Sequence, residues 1–190
     1  GLEGHFRLRD HAADGVEGAV SLVAVKYTTG RGVAEAAVDL VARKLGRRVP
    51  SRTAQVPLPG GEVADLETLE DMVRRDAAGL IDNEVAAQLA LTYGSSYSAL
   101  LQVVRESPAL AVRLADGVPV IAAQVVHAVR EEMTFTLTDL VTRRVPLGSM
   151  GHPGETAASA CAALMARELG WDAARTEREL QQLRDFYRPV

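Results

Sequence analysis

The segment VKYTTGRG, residues 25–32, combines residue types that hold anionic groups in many proteins. An apolar run precedes it and an alanine-rich helical pattern follows it, so it lies where a strand feeds a helix. Unbonded N–H groups at a helix start attract an anion, and Lys26 adds a positive charge at the same end. The hydroxyls of Thr28 and Thr29 also fit a simpler role, in which they only cap the helix. These residues by themselves leave a ligand site and a capped helix start as open alternatives.

The four histidines do not predict a metal site. His127 has Glu131 one turn later, which favours an exposed hydrogen-bonded pair, and the His-Glu-x-x-His spacing of a zinc helix is missing. His5, His11 and His152 lie in a predicted hairpin and in loops, without a ligand partner at a metal-like spacing. We expect a structural or surface role for His127 and at most a partner contact for His152.

The carboxylates and hydroxyls likewise lack a catalytic arrangement. Glu131 and Glu132 are adjacent, so on a helix they point about 100° apart and cannot oppose each other as acid and base. Arginines of neighbouring helices, such as Arg143 or Arg144, are their expected partners. The hydroxyl-rich stretch GSSYS, residues 94–98, is explained by helix capping. A nucleophile elbow, a P-loop and a dinucleotide fingerprint are all missing from the sequence.

Composition predicts one domain of ordinary size, or one domain plus a fragment of another. The chain has 190 residues, of which 47% are hydrophobic and only 4% aromatic, so its core must consist largely of alanine, valine and leucine. A net charge of −4 gives no electrostatic signature of nucleic acid binding. The single cysteine, Cys161, excludes an internal disulfide and is expected to be buried. No apolar run is long enough to predict a transmembrane segment.

Residues 1–29 predict a β-hairpin. HFRLR and AVSLVAV are short β-prone runs, and the sequence Asp14-Gly15 between them favours a turn. Because a lone hairpin is marginal in water, we expect it to belong to a sheet that is completed elsewhere.

From Gly32 onward the hydrophobic period is helical and predicts a mainly α fold of about five to seven helices. Val33, Ala37, Leu40, Val41 and Leu45 mark one face of the first helix, which stops at Gly46. A proline-rich connector, residues 47–61, follows. Further helices are predicted over about 63–78, 82–93, 95–107, 119–143, 156–169 and 173–187.

Local signals set the expected ends of these helices. Gly94 suits a left-handed cap, and Ser95 or Ser96 would cap the helix after it. Pro119 fits the first turn of the longest helix. Gly170 predicts a stop and Asp172 a cap. In the helix over 63–78, the residues expected to face inward are Leu66, Leu69 and Val73.

Four segments, in order along nearly the whole chain, resemble FAD-dependent glycerol-3-phosphate dehydrogenases, the flavin-dependent alpha-glycerophosphate dehydrogenase and oxidase family. VAVKYTTGRGVAEAAVDLVARKLG (23–46) is similar to the family's Gly-Gly-Lys-x-Thr-Thr-Tyr-Arg turn and following helix. SRTAQVPLPGG (51–61) resembles its Cys-Arg-Thr…Pro-Leu-Pro-Gly-Gly segment. VVHAVREEMTFTLTDLVTRRVPLG (125–148) and ARELGWDAARTERELQQL (166–183) resemble its Arg-Arg signature and its terminal Glu-Leu-Gly-Trp region.

The resemblance implies the C-terminal α-helical domain of such an enzyme. The implied parts are a hairpin remnant of the FAD and substrate domains (1–29), a helix returning to the flavin (30–46), the connector (47–61) and the helical domain (62–190). The parent enzyme would oxidise sn-glycerol 3-phosphate to dihydroxyacetone phosphate by hydride transfer to FAD and pass electrons to a quinone or to oxygen.

In this family the turn before the first helix abuts the flavin pyrimidine ring and the substrate pocket. The resemblance therefore implies cofactor-binding positions in the full-length parent, with Lys26 also serving the substrate phosphate. These positions are Val25, Lys26, Tyr27, Thr28 and Thr29. No residue is assigned as catalytic.

Two departures from the family pattern and the expected upstream position of the FAD-binding domain both argue against a complete active site in this chain. The family's Gly-Gly is Ala24-Val25 here, and its Thr-Thr-Tyr-Arg is TTGR. The dinucleotide fingerprint and the other substrate groups would lie upstream, in an FAD-binding domain of the same polypeptide. We therefore expect this chain alone to bind no FAD tightly and to be inactive. The implied location is cytoplasmic, with peripheral contact to the inner membrane through the parent.

A second hypothesis is a stand-alone helical module for protein interaction or oligomerisation. The hairpin favours the first hypothesis, because two strands that end in a cofactor-type turn have little purpose in an independent interaction module.

Overall fold

The structure, a computed structural model, describes residues 6–188, so His5 and the start of the predicted hairpin lie outside the described residues. The chain divides into two units, residues 1–58 and residues 59–190. Residues 1–58 are the hairpin unit and residues 59–190 are the helical unit. The four-part division expected from the sequence stays a prediction.

The hairpin unit begins with the expected antiparallel strand pair. Strand β1 (Arg7–Asp10) pairs with β2 (Val20–Val23) so that Arg7 lies opposite Val23 and Asp10 opposite Val20. A short 3₁₀ turn follows β1 and ends at Gly15, whose φ of +82° is a conformation that favours glycine. The predicted hairpin is therefore confirmed, with a longer connection than a two-residue turn.

Helix α1 (Gly30–Lys44) begins two residues before the helical hydrophobic period, which starts at Gly32, and its apolar face is largely uncovered. Val33 is the one buried residue of this helix. Ala37 and Leu40 are half-buried, whereas Val41 and Leu45 are exposed. The predicted apolar face is therefore buried only at its start, because the described residues place no apolar layer over the C-terminal half of α1.

The helical unit confirms the mainly α fold. Its helices are α2 (Leu66–Asp76), α3 (Asn83–Tyr93), α4 (Tyr97–Glu106), α5 (Ala122–Glu131), the short α6 (Leu137–Asp139), α7 (Glu155–Leu169) and α8 (Ala173–Phe186). A small antiparallel pair, β3 (Arg113–Ala115) and β4 (Val118–Ile121), precedes α5. Together with α1, the described residues form seven helices of ten or more residues, within the predicted five to seven.

Helix α5 lies at the centre of the helical unit. Every residue from Ala122 to Ala128 is buried. Its packing joins two hydrophobic clusters, one built mainly on α2, α3 and α4 and the other on α6, α7 and α8. Because the core consists mostly of small and aliphatic side chains, the helices lie close together without large aromatic residues.

The single long helix predicted over 119–143 is wrong. Pro119 lies in strand β4, and α5 ends at Glu131. Met133 then takes a positive φ of 55°, which ends the helix, and the following β-branched threonines favour non-helical backbone. The hydroxyl of Thr136 accepts a hydrogen bond from Asp139 N at 3.2 Å and starts α6 as a new cap. The apolar period continues across this break, which is why the pattern resembles one helix.

Other expected helix ends are partly confirmed. Gly170 is left-handed and Asp172 accepts from Arg175 N at 2.6 Å, as predicted. The expected inward position of Leu66 is wrong, since it is exposed, whereas Leu69 and Val73 are buried.

The start of α4 departs from the expected serine cap. Ser96 precedes this helix and makes no side-chain cap bond, because a 3₁₀ turn leads into it instead. Gly94 has a positive φ of 54° but a ψ of −135°, so it is not a left-handed cap.

Gly94 is fixed by the backbone of Gly60, the first of the two glycines in PLPGG. Ser95 N donates to Gly60 O at 3.0 Å. A Cβ on Gly94 would overlap the carbonyl oxygen of Gly60, and a Cβ on Gly60 would lie 2.5 Å from Tyr93 O. The two glycines therefore permit a close backbone crossing between the connector and the end of α3.

A buried carboxylate ties α8 to α6. Glu179 is fully buried, and its Oε2 accepts from Leu137 N at 2.8 Å. Its Oε1 lies 2.5 Å from the guanidinium of Arg175, which also lies over the ring of Trp171. These residues belong to the terminal segment of the family resemblance, so that segment has a structural role here.

We predict that Gly94→Ala destabilises the chain by more than about 2 kcal/mol, because the added Cβ meets backbone that cannot move aside. Gly79→Ala is the matched control. Gly79 also has a positive φ, of 77°, but open space around it, so about 1 kcal/mol is expected. Urea unfolding measures both, and equal losses would contradict the close crossing.

We also predict that Glu179→Ala costs about 3 kcal/mol, because it leaves Leu137 N–H buried without an acceptor and removes the partner of Arg175. Glu177→Ala removes an exposed carboxylate of the same helix that pairs with Arg184, and should cost less than about 1 kcal/mol. If urea unfolding gives similar losses for the two variants, the buried carboxylate does not hold α6 in place.

Candidate functional site

The structure brings the five predicted site residues onto one exposed turn of the hairpin unit. Residues 27–29 form a 3₁₀ turn that leads directly into α1, and residues 25–29 are all exposed. Tyr27 is fully exposed, and the exposed ammonium of Lys26 makes no hydrogen bond or ion pair with any described residue. The turn therefore presents its side chains to the surroundings instead of enclosing a site by itself. Their assignment to a cofactor stays a prediction.

The threonine hydroxyl next to α1 does not cap it. Thr29 precedes the helix, and its Oγ1 donates to the carbonyl of Lys26 at 3.1 Å instead of accepting from the first turn. The simple capping interpretation is thus wrong for Thr29. The N–H groups of the first turn keep their capacity to donate, which is the property that an anionic group at a helix start requires.

One neighbour of this turn was missed in the sequence. Arg31 lies 2.5 Å from Glu35, one turn further along α1, and donates to Thr53 Oγ1 at 3.1 Å. Ser51 and Thr53 share a further hydrogen bond of 3.0 Å. The SRT motif (51–53) therefore lies beside the start of α1, and the two matched segments of this unit meet there. The sequence feature that could have indicated this contact is the SRT motif itself. Its distance along the chain from Arg31 follows no helical or strand period.

The described histidines have structural contacts, but the predicted partner of His127 is wrong. His127 is buried, and the predicted pair with Glu131 does not form. Instead, its Nε2 lies 3.9 Å from Glu132 Oε1, and its ring meets Tyr93 edge-on. Among residues 6–188, no group of three or more histidine, cysteine, aspartate or glutamate side chains could hold a metal ion.

The two remaining histidines in the described range hold loops. His11 lies 2.8 Å from both Asp14 and Ser21. His152 accepts from Gly154 N at 3.1 Å and packs edge-on against Tyr187.

The remaining candidates have structural partners. Glu132 lies 3.9 Å from Arg144, one of the two expected arginines, whereas Arg143 pairs with Asp139. Cys161 is buried as predicted, and burial raises the pKa of its thiol to about 12, so it is not a thiolate nucleophile at neutral pH.

In the part of the chain that the structure describes, the helices are too short or too polar to cross a membrane.

Comparison with known proteins gives a consistent family. Residues 51–176 match the model of the C-terminal domain of alpha-glycerophosphate oxidase. The chain is 32% identical over 183 residues to a glycerol-3-phosphate dehydrogenase of Synechocystis sp. The matched region covers 94% of this chain and 32% of that protein. It is 31% identical over 185 residues to the mitochondrial glycerol-3-phosphate dehydrogenase of Bos taurus, covering 94% of the chain and 25% of that protein. The chain thus spans a third or less of the length of these curated relatives.

Proposed function

Since this chain belongs to the family of the C-terminal domain of alpha-glycerophosphate oxidase, we propose that it forms this domain in a flavin-dependent glycerol-3-phosphate dehydrogenase. The helical unit would be the stable domain, and the hairpin unit would complete a sheet and a cofactor wall of an upstream FAD-binding domain. The substrate of the whole protein would be sn-glycerol 3-phosphate, with dihydroxyacetone phosphate as the product.

The observation that supports this proposal most is the uncovered apolar surface of the hairpin unit. Strand β2, helix α1 and the segments directly after each of them expose apolar side chains, which is unfavourable on a surface in contact with water. These are Leu22, Val23, Val25, Val38, Val41 and Leu45. In the parent protein, an upstream FAD-binding domain of the same polypeptide would cover this surface. The hydrophobic effect would then hold the turn at residues 25–29 against the cofactor.

The turn has groups that suit a flavin. Bound FAD would accept a hydride from the carbon that bears the substrate hydroxyl. The start of α1 presents N–H donors without a side-chain cap, and these would stabilise negative charge near the pyrimidine ring. Lys26 has no partner among the described residues, so its ammonium is available for a phosphate oxygen. Val25 and Tyr27, both exposed, would add apolar contact beside the ring.

The same geometry supports the proposal that this chain alone neither binds FAD tightly nor turns over substrate. A turn with all five residues exposed buries little of a dinucleotide, whereas cofactor sites cover most of their ligand. The location proposed for the parent is cytoplasmic and peripheral to the inner membrane, through the other parts of that protein.

The test is a pair of lysine substitutions in the whole polypeptide that contains this chain. Lys26→Met should slow bleaching of the oxidised-flavin absorbance by glycerol 3-phosphate about tenfold or more, because a positioned positive charge is lost. Lys44→Met is the matched control, since Lys44 lies at the other end of α1 and pairs with Asp10 at 2.7 Å. It should leave the bleaching rate within about twofold, because an exposed ion pair contributes little.

Two results would contradict the proposal. Unchanged bleaching in Lys26→Met would remove this residue from the site, and bleaching only by other hydroxy acids would overturn the substrate. For the 190-residue chain, saturable quenching of added FAD would show that the hairpin unit is a sufficient cofactor site.

A further inference from the structure

We propose that a cavity in the helical unit binds a small organic cation, a protonated amine or a guanidinium on a short apolar chain. The cavity has a volume of about 640 Å³ and lies between the end of α3, one face of α4 and the end of α5. It is called the α3–α5 cavity here. All its lining residues belong to the helical unit, so this inference does not depend on the proposed function.

Two buried polar groups face this cavity with unused hydrogen-bonding capacity. His127 is only 8% exposed, and no described residue lies within hydrogen-bond distance of its ring nitrogens. Tyr93 accepts from Gln124 Nε2 at 3.2 Å, while its own hydroxyl hydrogen has no acceptor among the described residues. Both groups therefore offer hydrogen-bonding capacity to an occupant of the cavity, whether water or a ligand.

The charges of the lining side chains indicate which kind of occupant the cavity favours. Three carboxylates line the cavity, from Glu106, Glu131 and Glu132. The one lining arginine, Arg130, is already engaged, because its Nε and one terminal nitrogen donate to Glu168 at 2.7 and 2.9 Å. The lining side chains therefore carry a net negative charge, which Arg144, paired with Glu132 at 3.9 Å, offsets only in part, and this balance favours a cation over an anion.

The spacing around Glu132 points to a donor in the ligand. Its carboxylate oxygens lie 3.9 Å from His127 Nε2 and 3.9 Å from Arg144 Nε, both too long for hydrogen bonds. An ammonium or guanidinium placed beside Glu132 would donate the short, charge-assisted hydrogen bonds that neither neighbour makes. A metal ion does not fit, because the described residues hold no set of three suitable ligands.

The other side of the cavity is apolar. Pro59, Ala99 and Val103 contribute to its lining. A short alkyl chain would lie against these residues while the charged head reaches the carboxylates, an arrangement common in small-molecule sites. The shared chemistry fits a free alkylamine or alkylguanidine and equally the end of an arginine side chain presented by a partner.

The experiment titrates the ¹⁵N-labelled 190-residue chain with butylguanidinium chloride and follows amide chemical shifts. We expect saturable shifts confined to residues around the α3–α5 cavity, and none with butyrate or butanol as charge controls. Glu132→Gln should weaken binding about five- to tenfold, the effect of one partly exposed ion pair. Glu67→Gln, which changes an exposed carboxylate on α2 outside the cavity, should leave affinity unchanged.

Glu106→Gln provides a second test if Glu132→Gln fails to fold, since Glu106 is exposed and, among residues 6–188, accepts a side-chain hydrogen bond from Gln102 alone. A parallel titration with N-acetylarginine amide distinguishes a free small molecule from an arginine side chain of a partner protein. Tighter binding of N-acetylarginine amide than of butylguanidinium assigns the site to a partner side chain. Equal shifts with butanol, no saturation with either cation, or unchanged affinity in both carboxylate variants would overturn the proposal and leave water as the occupant.

Discussion

The fold of the helical unit depends on the fully buried side chain of Gln124, at the start of α5. Its oxygen accepts from Ile121 N at 2.9 Å, and its amide nitrogen donates to Gln88 and to Tyr93. These bonds fix the junction of β4 and α5 and tie it to α3, while the small residues around it let the neighbouring helices approach. Because α5 is surrounded by both hydrophobic clusters, its position determines where the other helices pack. A fully satisfied polar group in this place favours one arrangement over other packings of similar aliphatic residues.

The two units differ in how they bury apolar surface. In the helical unit, valine and leucine side chains fill two clusters, whereas in the hairpin unit only Val33 is buried among the described residues. The family match explains this difference if the hairpin unit completes a neighbouring domain of a larger enzyme. The residues that resemble the cofactor turn lie in the hairpin unit, and the terminal Glu-Leu-Gly-Trp segment serves the core through Glu179. The similarity in the helical unit therefore includes residues that serve packing, whereas a cofactor contact by the hairpin unit stays a prediction.

Much of this arrangement was predictable from the sequence. Local signals found the hairpin, the stop at Gly170 and the cap at Asp172, since each depends on nearby residues alone. The break after α5 was not predictable from hydrophobic period, because the apolar stripe continues past Met133 while the backbone does not. The crossing of Gly60 and Gly94 joins distant residues and has no periodic signal. For the candidate site, the sequence predicts the turn at residues 25–29, and the structure shows that this turn is exposed while its role stays a prediction. The polar groups of the α3–α5 cavity come from distant parts of the sequence and meet only in three dimensions.

The helical unit has its own closed core, whereas the described residues of the hairpin unit do not form one. Hydrogen exchange of backbone amides in the 190-residue chain measures this difference, because protection reports the free energy of local opening. The amides of α3, α4 and α5 should be strongly protected, with α5 close to the protection of global unfolding, while those of β2 and of the C-terminal half of α1 should exchange quickly. Protection in α1 equal to that in α5 would show that the hairpin unit has a closed core of its own, since such protection requires a cover for the apolar face within this chain.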